Sequence, residues 1–240
     1  MNYWRALGLV TAGAAVIVVS GCARTSQGLP VAEPSSSASS SGPSSGPSSS
    51  ARSTIPTPSG QPSQPEPGIL PTLQVPIPAN AVTCADPTKP PVSTVAAVDD
   101  ATAPRVTVGV PQGWSFSKGS GDIGVRMQGP DGMTATVSIA PTTLDPAAAF
   151  RDYTDKLMEK SAVSTVSILP AELCEYSGQK LMGAWSDTPQ NSVEFFDRVL
   201  HVWTNTTNYL IAVHVEAPTG VDGLDSASSV VTEDIEITIP

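Results

Sequence analysis

Two stretches, VEFFDRVLHVW at 193–203 and YLIAVHVEA at 209–217, decide the fold of this chain. Both are long for strands and rich in Val, Ile, Leu, Phe, Trp and Tyr, side chains that suit a pleated and half-buried surface. Between them lies a short polar connection containing Asn205, Thr206 and Thr207. They predict a central antiparallel hairpin, Val193–Trp203 with Tyr209–Ala217, around which the rest of the chain must be arranged.

Working upstream, Ser164–Leu169 and Leu181–Trp185 read as two further strands. Before them comes the best helix signal in the sequence. Asp145 can cap, Pro146 occupies the first helical position, and Phe150, Tyr153, Leu157 and Met158 recur at helical spacing. Lys156 and Lys160 complement the dipole near its end, which is expected around Ala162. Gly124–Gln128 and Thr134–Ala140 flank Gly129-Pro130-Asp131-Gly132, a turn in which Pro presets φ and Gly accepts positive φ. Arg105–Val110 alternates and stops at Pro111-Gln112-Gly113-Trp114. Downstream, Gly223–Thr232 predicts a second helix and Glu236–Ile239 a short last strand. The fold class expected is α+β, an antiparallel β-sheet with helices packed on it.

The N-terminal part has a different composition. After Arg5 an apolar run extends from Ala6 to Val19 and ends in Val19-Ser20-Gly21-Cys22. Its length suits the core of a secretory leader, and small residues before a cysteine form a lipobox. Residues 1–21 are therefore expected to be a lipoprotein signal peptide, with Cys22 the lipidated residue carrying a diacylglyceryl and palmitoyl anchor. Residues 35–50 read SSSASSSGPSSGPSSS, and Pro-rich sequence follows. Such a segment holds too few apolar side chains to offset the entropy of ordering. Residues 22–81 are thus expected to be a disordered tether, 82–103 an extended segment, and 104–240 the globular domain. The expected address is the outer face of the cytoplasmic membrane in the cell envelope.

Charge narrows the partners. Twelve Lys and Arg stand against 22 Asp and Glu, a net charge of −10, and the leader removes only one cation. An acidic chain has no non-specific attraction for nucleic acid or anionic headgroups. Besides Cys22, Cys84 and Cys174 form an even pair in an oxidising compartment, read as a disulfide or as two free buried thiols. No metal site is expected, because two distant cysteines and two histidines on separate strands lack the close spacing of ligands. Motifs of hydrolases, nucleotide binders and redox enzymes are absent from residues 92–240, so no cofactor and no catalytic residue is assigned. His201 and His214 lie in the two long strands, and whether they share a face depends on register. Asp197 and Glu216 are the nearest acids by strand position. Trp185 and Trp203 are expected in the core. Trp114 and Pro111 are the candidates for partner contact.

The order of these features resembles actinobacterial lipoproteins of the LpqN/LpqT type. The residues behind the resemblance are the lipobox, the strand ending Val110-Pro111-Gln112-Gly113-Trp114, the helix start Leu144-Asp145-Pro146-Ala147 and the long hairpin. It implies a Mog1/PsbP-like fold for roughly residues 104–240 and a binding or assembly role. Cys84 and Cys174 stand outside that pattern. The leading expectation is a non-enzymatic, membrane-anchored protein-interaction or assembly module with an envelope partner. The alternative is a carrier or sensor of a lipid or other apolar ligand, and the third is a hydrolase with an unrecognised site.

Overall fold

The computed structural model describes residues 66–85, 90–188 and 190–240. Cys22 and the leader lie outside them, as does most of the tether. In chain order the elements are β1 (Val82–Cys84), β2 (Ser93–Ala96), β3 (Arg105–Gly109), β4 (Ser115–Lys118), β5 (Ile123–Gln128) and β6 (Thr134–Thr142). Then follow α1 (Pro146–Met158), β7 (Val163–Pro170), β8 (Ser177–Ser186), β9 (Ser192–Trp203), β10 (Asn208–Pro218), α2 (Leu224–Glu233) and β11 (Ile235–Thr238).

The predicted hairpin is the middle of a seven-stranded antiparallel sheet ordered β4-β5-β6-β10-β9-β8-β7. Its register pairs His214 with Asp197 and His201 with Leu210, so all four side chains point to one face. The other face carries Ile211, Val213, Val215, Leu200 and Val202, all fully buried. Against it pack α2 and a second antiparallel sheet, ordered β1-β11-β3-β2, with Val106, Val108, Val231, Ile235 and Ile237 closing the main core. The fold is α+β as expected, but with two sheets where the sequence pointed to one. Strands β1, β2 and β4 escaped notice because three or four residues are too few to show a period.

Helix α1 lies on the opposite face of the large sheet, where Phe150 and Leu157 bury against Leu181, Phe195, Val199 and Ala212. Burying a side chain of this size stabilises by roughly 1.5–3 kcal/mol. The Asp145 carboxylate accepts from the Ala148 amide at 2.9 Å, as its capping position requires. The helix ends at Met158, short of Ala162. Tertiary contacts stop it: Ser164 Oγ donates to the Met158 carbonyl, and the Ala162 amide donates to Asp187. Between β5 and β6 the Pro-Asp-Gly turn forms as read, with Gly132 at φ 81° and Asp131 also left-handed.

The ordered chain also reaches further upstream than residue 82. Residues 66–81 form a strap across the lower end of the large sheet. At its start the Gly178 amide donates to the Gly68 carbonyl, Ser177 Oγ bonds both polar groups of Leu70, and Arg151 pairs with Glu66. Gly68 has φ 77° and would place a Cβ against the Gly178 carbonyl, so no other residue fits. At its finish the Asn205 side chain holds both the amide and the carbonyl of Ile77, each at 2.7 Å. The following segment, expected to be extended, docks through β1 on β11 and β2 on β3.

Candidate functional site

Cys84 and Cys174 are joined by a disulfide with Cα atoms 5.4 Å apart. Cys174 sits in a two-residue turn closed by hydrogen bonds between Leu173 and Tyr176. Such a turn needs positive φ at both central positions, here Cys174 at 49° and Glu175 at 69°. Neither is Gly or Asn, so the turn carries local backbone strain that the surrounding contacts hold in place. Tyr176 reaches back to donate to Thr83 Oγ1 at 2.8 Å, a second tie between this hairpin and β1.

Between the hairpin and the strap lies a groove of about 420 Å³. The strap residues Leu73, Val75 and Ile77 form one wall, while Tyr176, His201 and Trp203 belong to the other side. Leu73 and Val75 are 67% and 63% exposed. Glu175 is the sole charged residue among the lining groups, apart from the titratable histidine. Trp203, expected in the core, instead contributes to this groove.

His201 is 3% exposed. Its Nε2 lies 3.1 Å from the Leu144 carbonyl, which can only accept, so the proton sits on Nε2. Nδ1 is then a bare acceptor, and among the described residues it has no hydrogen-bond partner. Burial pushes the imidazole below its ordinary range against the opposing pull of the Leu144 bond and Asp145, so the ring is neutral at pH 7.

His214, four positions along the ladder from the rung that holds His201, has the opposite surroundings. Nδ1 lies 2.5 Å from Asp197 Oδ1, and Nε2 lies 3.1 Å from Glu216 Oε2. The second oxygen of Asp197 accepts from the Tyr153 hydroxyl of α1 at 2.9 Å. Trp185 stacks on the imidazole at 5.6 Å, and the Lys160 ammonium sits over the indole at 4.6 Å. Burial alone would lower the His214 pKa; the hydrogen bond and charge of Asp197, with Glu216, outweigh it and raise it to about 9. The ring is therefore a protonated cation with both N–H groups committed. The Asp197 side chain is 0% exposed, whereas Glu216 at the other end of the centre keeps 33% of its side chain accessible.

The sequence placed Asp197 and Glu216 as the nearest acids and the structure brings both to His214. It missed Tyr153, whose position in the apolar period of α1 looked like ordinary core. Cys84 and Cys174 come together. Pro111 and Trp114 do not stand free: Pro111 is buried, and Trp114 packs on the main core over Gly129. A Cβ at Gly129 would lie 2.3 Å from the indole, so the glycine is what lets the ring cap this end of the sheet. The exposed aromatic nearby is Phe116 of β4.

An α+β protein of two antiparallel sheets with a groove at one end is thus the class that the geometry defines. Among solved structures it is similar to the crystal structure of LpqN, involved in cell envelope biogenesis of Mycobacterium tuberculosis. The TM-score is 0.48 at 18% identity, over 61% of this chain and 91% of that one. No family model matches the chain, and no curated protein matches it.

Proposed function

We propose that this chain is a lipid-anchored, non-enzymatic binding module of the bacterial cell envelope, and that its working site is the groove between strap and disulfide hairpin, which takes an apolar ligand. The observation that carries this reading is the groove itself. Its volume of about 420 Å³ falls within the roughly 300–1,000 Å³ of small-molecule sites, and its walls are largely apolar. This puts the carrier or sensor reading ahead of the protein-interaction reading. Among the described residues no helix is long and apolar enough to cross a membrane, so in this reading the anchor on Cys22 supplies the attachment.

A non-enzymatic role is supported by the two histidines. A general base needs a free lone pair facing a nucleophile. His214 has none, and the free lone pair of His201 on Nδ1 is buried with no hydroxyl or thiol bonded to it among the described residues. The test uses the exported chain with Cys22→Ala, kept in solution without detergent. Nile red should brighten on binding, and Leu73→Asp should abolish the signal. Equal fluorescence in both proteins would remove the groove from consideration.

Docking of a protein partner is favoured by one other observation. Strand β7 is an open sheet edge without a charged residue, and it exposes Val163, Ile168 and Leu169. Such an edge can accept a further strand. Crosslinking from Val163 in intact cells would identify that partner.

A further inference from the structure

Among the described residues four strands form the edges of the two sheets, and three of them, β1, β2 and β4, have three or four residues each. The fourth, β7, runs eight residues, Val163–Pro170, with no charged side chain. Soluble proteins ordinarily avoid long uncharged edges, because unpaired backbone groups invite a further strand. One hydrogen bond fixes the direction of those groups. The Ala171 amide donates to the Gly178 carbonyl at 2.9 Å, one rung beyond the ladder of β7 with β8. Backbone groups alternate in direction along an antiparallel strand. Thr165, Ser167 and Leu169 therefore bond to β8, while Ser164, Val166 and Ile168 turn their amides and carbonyls outward. Pro170 falls in the outward set, where its missing N–H takes nothing from the ladder.

We propose that this edge pairs with β7 of a second copy of the chain, antiparallel about a two-fold axis at Val166. The inference rests on the edge-docking reading above and names its partner. Setting Val166 against Val166 of the second copy puts Ser164 against Ile168, so every outward amide meets an outward carbonyl. The side chains match as well. Thr165 falls opposite Ser167, and Val163, 64% exposed, falls opposite Leu169, 45% exposed. Sliding the second strand by two residues either way leaves Val163 opposite Ser167 or Ala171. No charge within the strand opposes its own copy, which matters in a chain of net charge −10. Eight residues a side fall short of the roughly 20–30 of a standard interface, so the dimer is weak in free solution.

The experiment is sedimentation equilibrium of the exported Cys22→Ala chain in about 0.15 M salt, which screens the repulsion between acidic copies. Between about 1 μM and about 1 mM its mean mass should climb from the monomer toward twice that value, as a weak interface requires. Thr165→Lys, at an exposed position, should hold it at the monomer mass throughout. Register is read separately. A mixture of Thr165→Cys and Ser167→Cys chains should form an interchain disulfide on mild oxidation, because opposite residues of a non-hydrogen-bonded pair lie about 4.5 Å apart. Either chain alone should crosslink at least about tenfold less, since its cysteines then sit on a diagonal of about 7–8 Å. A chain that stays monomeric, or a dimer that ignores Thr165→Lys, overturns self-pairing, and so does efficient crosslinking of either cysteine chain alone. If the parent stays monomeric while Val163 in cells captures a different protein, the edge reading stands and the second copy is ruled out. If Val163 captures nothing either, the edge reading fails with it.

Discussion

His201 and His214 occupy one face of one hairpin, yet one is a neutral ring with an idle lone pair and the other a buried cation with every hydrogen bond made. The difference lies in their cross-strand neighbours. Across from His214 stands Asp197, with Glu216 two residues along its own strand and Tyr153 supplied by α1. Across from His201 stand Leu210 on one side and Ser177 on the other, and the strap has already taken the serine. Helix α1 seals the first region. The second is covered by a strap held at its ends, which leaves space between. A residue type at a given strand position therefore says little about its role until the neighbouring strands are in register.

The contrast is broken most severely at Asp197. Asp197→Ala leaves the imidazolium with Glu216 as its one acidic partner and the buried Tyr153 hydroxyl without its acceptor, and a loss of about 3–5 kcal/mol is expected in urea unfolding. The same substitution should leave probe binding in the groove intact in whatever fraction stays folded.

Raising the pH attacks the same centre without mutation. The folded pKa of His214 is about 9, above the ordinary value of 6.5. Its contribution is therefore fully present below pH 6.5 and is lost as the pH rises through 9. Linkage puts the loss on the order of 3 kcal/mol between pH 6 and 10. Denaturation midpoints measured across that range should fall, and His214→Gln should flatten this part of the curve.

On the groove side, removal of the disulfide by Cys84→Ser with Cys174→Ser should cost about 2 kcal/mol, toward the low end for natural bonds, because β1 still pairs with β11. Probe affinity should fall as well, since the hairpin wall is freed from the strap side; thermal unfolding and dialysis measure the two effects. The smallest change is expected for Leu73→Asp, within about 0.5 kcal/mol of the parent, because the side chain already faces solvent. A large destabilisation there would mean that the strap supports the fold and does not merely flank the groove.

Much of the large sheet could be read directly. Strands β9 and β10 each run eleven or twelve residues with a clear period, and Asp145-Pro146 marks the start of α1 within a residue. In the second sheet β3 and β11 could be read as strands, but not that they pair in a sheet of their own, and β1 and β2, with three or four residues each and a partner for β1 distant in sequence, could not be read at all. The candidate site was legible only in pieces. Cys84 with Cys174 emerged from counting, whereas the strap was assigned to the tether because Ile69-Leu-Pro-Thr-Leu-Gln-Val-Pro76 has the prolines of a linker and no strand period. Its docking depends on single partners, Ser177 and Asn205, that no local pattern announces. Trp203 followed the alternation of its strand, which specifies a face but not how much of that face the next layer covers.

The position of β11 has a temporal consequence. Ile235–Thr238 lies between β1 and β3, so the strand that joins these two is synthesised after both of them. A ribosome delivers Val82–Cys84 some 150 residues before its pairing partner, Thr238 for Val82 and Ile237 for Cys84. Until then β1 has no neighbour in its sheet, and Cys84 and Cys174 can meet only through fluctuating chain. The pair β2 and β3 can form beforehand, but β1 joins this sheet only once β11 is available to stand between it and β3. A nascent chain stalled before Ile235 should hold the large sheet's strands while leaving β1 unpaired and open to proteases.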